Sequence, residues 1–158
     1  MCGITGFIST QVSNPKDVIH NMIGTLLHRG PDNTSIWNDL NGVNMAHSRL
    51  SILDLSESGN QPILSKSGRY VMVFNGEIYN YQELKKKIDS LTAIQWSGSS
   101  DSEILVELID YFGIKEALIK TKGMFAISVW DAKEKKLTLC RDRLGEKPLY
   151  YGWQNNSF

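Results

Sequence analysis

At 158 residues with 41% hydrophobic side chains, the chain is the right size for one domain with a sizeable core. Seventeen basic residues against seventeen acidic ones give a formal net charge of zero, which excludes the basic stripe that nucleic-acid or anionic-membrane binding uses. No apolar run is long enough for a membrane span or a signal peptide, so a cytoplasmic location is expected, with Cys2 and Cys140 as reduced thiols and a bond between them left open.

The chain opens on Met1-Cys2-Gly3-Ile4-Thr5-Gly6-Phe7. A cysteine directly behind the initiator methionine becomes the first residue once that methionine is removed, and a small second residue favours removal. It then carries a thiol nucleophile and a free α-amine, whose unperturbed pKa of about 7.7–8.0 makes it a proton acceptor without a His or Asp partner. The position also suits a small apolar residue entering the core. Ile4–Ile8 predicts a short strand. Asn14 as a cap, Pro15 in the first helical position, and Val18, Ile19, Met22, Ile23, Leu26 and Leu27 at helical spacing predict a helix that closes on His28 and Arg29 and is stopped by Gly30 and Pro31. The histidines at 20, 28 and 47 have no metal-ligand spacing.

Ile36-Trp37 and Val43–Ala46 flank Asn41-Gly42 and predict a hairpin, whose second strand continues towards His47–Ile52. A turn-rich stretch, Ser56–Pro62, follows. Tyr70–Phe74 predicts a strand ending at Asn75-Gly76, a dipeptide that suits a hairpin turn. Asn80 and Glu83 have capping-box spacing for a helix with Leu84 and Ile88 inward, and Ile94-Gln95-Trp96 predicts a strand. Ser100 and Glu103 repeat the capping-box spacing ahead of Ile104, Leu105, Leu108, Ile109 and Phe112, and Gly113 ends that helix. A short helix over Ile114–Ile119, a hairpin of Met124–Trp130 with Leu137–Arg141, and a strand at Leu149–Tyr151 complete the chain. Hairpins interleaved with helices give an α+β fold with antiparallel sheets.

Seven strings stand in one order: Met1–Ile4, His28–Asp32, Arg49–Ile52, Gln61-Pro62, Phe74–Asn80, Ser100–Glu103 and Arg141–Tyr151. Together they resemble class II glutamine amidotransferase domains over nearly the whole chain, and most of all the glutaminase half of glutamine-hydrolysing asparagine synthetases. The resemblance implies an N-terminal-nucleophile hydrolase fold, a four-layer αββα sandwich of two antiparallel sheets. It implies that residues 1–158 form a type-2 glutamine amidotransferase domain, with further chain expected beyond it and a separate synthetase domain or subunit receiving ammonia. Cys2 is then the nucleophile, Asn75 and Gly76 the oxyanion donors, and Arg49, Asp101 and Glu77 bind glutamine. No metal or cofactor is implied for this domain; ATP and Mg belong to the synthetase. The resemblance leaves room for a homodimer and points to neither nucleic acid nor a membrane.

The residue types fit that chemistry on physical grounds. Glutamine is a zwitterion with a terminal amide, so a specific site needs a cation, an anion, a nucleophile and donors for the oxyanion. Arg49 offers a planar fork for a carboxylate and Asp101 an anion. Asn75 offers an amide donor and Gly76 an unobstructed N–H. Each has a plainer reading: Arg49 as a surface ion pair, Asp101 as a favourable charge in a helix's first turn, Asn75-Gly76 as a turn, and Arg141-Asp142-Arg143 as loop charges pairing with each other or with a partner domain.

Two rival functions stand beside this one. Ser97–Ser102 resembles the Ser-Gly-Gly-x-Asp-Ser loop of ATP pyrophosphatases, although Ser99 replaces its second glycine and too little chain follows for a parallel nucleotide-binding sheet. The other rival is a non-catalytic or truncated glutamine-binding module of the same fold, which retention of Met1 would produce by locking the amine of Cys2 in a peptide bond.

Overall fold

A computed structural model describes residues 2–51 and 56–158. The expected removal of Met1 and the end of the Arg49–Ile52 string therefore lie outside the described residues. Among the described residues, seven strands fall into two antiparallel sheets. In the first, β1 (Gly3–Ile8) and β2 (Asn33–Asn38) flank β3 (Val43–Arg49). In the second, the order is β4 (Ile63–Leu64), β5 (Tyr70–Ile78), β6 (Gly123–Asp131) and β7 (Lys136–Arg141). The helices are α1 (Pro15–Gly24), α2 (Tyr81–Asp89), α3 (Asp101–Phe112) and α4 (Ile114–Lys120).

Side-chain alternation assigns the layers. On β5, Tyr70, Met72, Phe74 and Ile78 pack with Phe125, Ile127 and Val129 of β6 against α2, α3 and α4. The intervening Val71 and Val73 turn to the other side, where they meet Val43 and Met45 of β3 and Trp130 of β6. Phe7 and Ala46 cover the far face of the first sheet under Ile19 and Ile23 of α1. The result is helix, sheet, sheet, helix, as expected, with the inter-sheet core worth about 1.5–3 kcal/mol for each large aliphatic chain it removes from water. No helix among the described residues is long and apolar enough to cross a membrane.

Several local expectations are corrected. The α1 helix ends at Gly24, a poor helix former, and a separate 3-10 turn at Leu27–Arg29 leads out; Asn14 makes no side-chain cap. Gly42 does end the β2–β3 loop, but Asp39 organises it, its Oδ1 accepting from the N–H groups of Asn41 (2.8 Å) and Val43 (3.0 Å). Asn80 does not cap α2 with its side chain, which instead bridges Lys120 O (3.0 Å) and the Lys122 N–H (2.8 Å). Ile94 and Trp96 form no strand: both pack against the helical core, and the Trp96 indole donates to Asp89 at 2.8 Å. Tyr150 and Tyr151 are exposed and lie outside any strand. The Ser100 cap on α3 forms as expected, its Oγ accepting from the Glu103 N–H at 3.2 Å.

At the far end of β6, Arg69 grips Asp131 bidentately, with Nε to Oδ1 at 3.0 Å and Nη2 to Oδ2 at 2.7 Å. Arg69 holds the Asp131 carboxyl at about 2, below the ordinary aspartate range. Because the folded-state value is depressed, the stability it contributes is present above about pH 4 and is lost as pH falls towards 2. In acid titrations of unfolding, Arg69→Gln is expected to lower stability at pH 7 and to flatten the decline between about pH 4 and 2. A decline as steep as in the parent chain would remove this pair from the acid transition.

Candidate active site

The inner faces of both sheets change character along their length. Facing residues on β3 read Val43, Met45, His47, Arg49, and those on β5 read Val71, Val73, Asn75, Glu77. The apolar halves form the inter-sheet core, while the polar halves open into a cavity of about 140 Å³. Cys2, Arg49, Asn75, Gly76, Glu77 and Asp101 all line it. The structure thus brings together every site residue expected from the sequence.

Asn75 and Gly76 lie inside β5, which corrects the hairpin-turn reading. Gly76 pairs with Phe125, and a Cβ there would stand 2.1 Å from Met124 O, so only glycine lets β6 approach. Phe125 directs both its backbone groups to Asp142: its O accepts from the Asp142 N–H at 2.8 Å, and its N–H donates to Oδ2 at 3.2 Å. Gly76 therefore faces away from β6. Its even-numbered neighbours do the same, with the Phe74 N–H donating to Gln61 Oε1 at 2.6 Å and the Ile78 N–H to Asp101 Oδ2 at 2.9 Å. Between two occupied donors, the Gly76 N–H remains directed at the cavity. Asn75 is 5% exposed, and among the described residues nothing hydrogen-bonds its amide.

Cys2 sits beside the end of β3. Its Sγ accepts from the Leu50 N–H at 3.4 Å, and Arg29 Nε donates to its carbonyl at 3.3 Å. The His28–Asp32 string ends the 3-10 turn at Leu27–Arg29 and also forms a clamp around this point. Ser48 Oγ donates to Gly30 O at 2.5 Å, the Asp32 N–H to Arg49 O at 3.0 Å, and the Ser51 N–H to Asp32 Oδ2 at 2.7 Å. Arg49 is buried, which corrects the surface reading, and its Nη1 donates to Ser56 O (2.7 Å) and Asn60 Oδ1 (2.8 Å). Its guanidinium lies over Gly59, where a Cβ would meet Nη2 at 2.2 Å.

Asp101 opens α3 and is buried. Burial pushes its carboxyl above the ordinary range, Glu77 adds to the rise, and the Ile78 N–H opposes it. His47 is 1% exposed, and neither ring nitrogen has a hydrogen-bond partner of normal geometry. Burial, assisted by the Arg49 charge and opposed by the Phe74 carbonyl, pulls it down to about 4 and leaves a neutral imidazole in the wall at neutral pH.

Among the lining residues to which sequence reasoning gave no role are His47, Gln61 and Lys147. His47 could have been found as the residue two before Arg49 on a period-2 face; Gln61 and Lys147 stand in the strings quoted above but were given no role. The Arg141-Asp142-Arg143 charges do not pair with each other. Asp142 accepts from the N–H groups of Phe125, Leu144, Glu146 and Lys147; burial raises its carboxyl, but the donors at Lys147, Glu146 and Phe125 outweigh this and hold it at about 2. Arg141 donates to Gly145 O, and Arg143 to Thr121 O and Ile119 O. The phosphate-loop reading also finds no support: the N–H groups of Ser97 and Gly98 are taken by the Glu103 carboxylate at 2.8 and 2.9 Å, where an anion would have to sit.

A family model described as "Glutamine amidotransferase domain" matches residues 1–158. The chain is 36% identical to asparagine synthetase [glutamine-hydrolyzing] 3 of Bacillus subtilis, covering 100% of the chain and 26% of the relative. It is also 36% identical to amidase chry2 of Gibberella zeae, covering 99% and 25%. The chain thus spans about a quarter of these curated relatives. Among solved structures, the glutamine phosphoribosylpyrophosphate amidotransferase of B. subtilis superposes with a TM-score of 0.77 at 18% identity, over 99% of this chain and 40% of that one, a likeness of fold.

Gly76→Ala is expected to destabilise the domain by about 1–3 kcal/mol or more, because the added methyl has a backbone carbonyl in its place. Denaturant unfolding measures this; an unchanged midpoint would show that β5 and β6 are not held as closely as described.

Proposed function

The chain belongs to the glutamine amidotransferase domain family, and from that premise we propose that Cys2, exposed as the first residue after loss of Met1, hydrolyses the side-chain amide of L-glutamine. The supporting observation is the single cavity in which a thiol, a strand N–H left out of its ladder, an unpartnered carboxamide, an arginine and two carboxylates meet.

In this reading Arg49 holds the glutamine α-carboxylate, while Asp101 and Glu77 receive the α-ammonium. The Cys2 α-amine takes the thiol proton and the sulfur attacks the δ-carboxamide carbon. Asn75 Nδ2 and the Gly76 N–H donate to the resulting oxyanion. The C–N bond breaks, the proton held by the amine passes to the departing nitrogen, and ammonia leaves a γ-glutamyl thioester. Water then cleaves the thioester to glutamate and restores the thiol. All groups needed belong to the chain, so the hydrolysis uses no cofactor.

We further propose that the ammonia passes to a synthetase domain or subunit that amidates aspartate to asparagine using ATP. The B. subtilis relative supports that acceptor by its name; the alternative is a different acceptor served by the same glutaminase.

Cys2→Ala is expected to abolish glutamine-to-glutamate conversion, and Asn75→Ala to reduce kcat on the order of 10²–10³-fold. Normal turnover by Cys2→Ala would sink the reading. Gly59→Ala should displace the guanidinium and raise KM about tenfold or more while leaving kcat within a few-fold; an unchanged KM would take Arg49 out of carboxylate binding. Glutamine hydrolysis should survive EDTA, whereas asparagine formation from aspartate, ATP and glutamine in the full protein should not. Failure to form asparagine alongside intact glutaminase activity would point to the other acceptor.

A further inference from the structure

Lysine is almost never buried unless its charge is paired. Lys147 is 6% exposed, lines the cavity beside Cys2, and makes no ion pair among the described residues. Nothing in the reaction proposed above uses it. Its placement is nonetheless firmly built: the Lys147 N–H donates to Asp142 Oδ2 at 3.0 Å, the same oxygen that receives the Phe125 N–H, and Phe125 lies opposite Gly76. One carboxylate therefore ties the lysine's loop to the strand that backs the Gly76 donor.

The ionisable lining explains why a cation is held there. Arg49 contributes one positive charge, Glu77 and Asp101 two negative ones, and His47 is neutral. Among the described residues of the wall the sum without Lys147 is minus one; with it, two cations balance two anions, matching a zwitterionic substrate of zero net charge. The balance matters most for the Cys2 amine, which must lose its proton to act as base. Excess negative charge around the amine favours the protonated ammonium, and a cation opposes this. Other charges near Cys2 are fixed by other contacts. Arg29 bonds the Cys2 carbonyl and Asp32 bonds the Ser51 N–H; on the lysine's own loop, Asp142 is occupied by backbone N–H groups and Glu146 is exposed.

We infer that Lys147 is a positioning residue of electrostatic kind, which offsets the Glu77 and Asp101 charges and keeps the Cys2 α-amine unprotonated at neutral pH. The inference rests on the glutaminase reading above.

The test is the pH profile of kcat/KM for glutamine hydrolysis in protein whose loss of Met1 is verified by intact mass. In Lys147→Met the acidic limb is expected to move up by about one pH unit, reducing the rate on that limb about tenfold, and Lys147→Arg should return it to the parent position. Lys147→Gln serves in the same role should the Met variant fail to unfold cooperatively. A limb that stays in place in the Met or Gln variant overturns the inference, whether or not the rate falls. So does a limb displaced equally in the Arg variant, since that marks a shape effect and not a charge effect. Parent protein that does not hydrolyse glutamine overturns the glutaminase reading and this inference with it, whereas an active parent with unmoved variants overturns this inference alone.

Discussion

In an antiparallel ladder each residue directs both of its backbone polar groups to the same neighbour, so a strand with one short neighbour is left with N–H groups at intervals of two residues. β5 is such a strand. β6 pairs with it from Tyr70 to Ile78, while β4 reaches only Met72 and Val71. Beyond β4 the edge is finished by side chains, Gln61 on Phe74 and Asp101 on Ile78, with the Gly76 N–H between them left for the cavity. The placement of Gln61 and of α3, whose first residue is Asp101, follows from the need to finish this edge.

The same pleat explains why two donors come from consecutive residues. At Asn75 the side chain projects from the sheet face towards β3, and at Gly76 the N–H lies in the sheet plane at its edge. One group leaves normal to the sheet and the other along it, so their directions can converge on a single atom without any turn in the chain. Gly76 has no side chain to intrude because β6 has already claimed that space. On the reading proposed above, two requirements, close strand packing and access for an oxygen, fall on one residue.

Much of this was legible in the residues themselves. Runs of strand-forming residues located β5 and β6, the Ser100 cap located α3, and the seven ordered strings pointed to six of the residues that meet in the cavity. What failed was local chemistry read without its neighbours. Asn75-Gly76 looks like a turn because a turn and a tightly paired strand both ask for glycine, and only the partner at Phe125 distinguishes them. Asn80 looks like a cap because the same side chain can bridge Lys120 and Lys122, residues about forty positions away. Arg141, Asp142 and Arg143 look like a charge cluster, yet each bonds to main-chain groups, a preference that no spacing rule encodes. Lys147 escaped for a related reason: its burial is set by the Asp142 turn, and lysine in a polar string reads as solvated.

The Asp142 turn has a consequence for how freely this loop can vary. Its carboxylate is filled by the N–H groups of Phe125, Leu144, Glu146 and Lys147, and main-chain donors are indifferent to the side chains they carry. Leu144 is 87% exposed and Glu146 also faces solvent. Their outer surface can therefore be rewritten, for a different neighbour or for none, without moving the backbone that delivers Lys147 inward. The loop separates an outside open to substitution from an inside held by one aspartate.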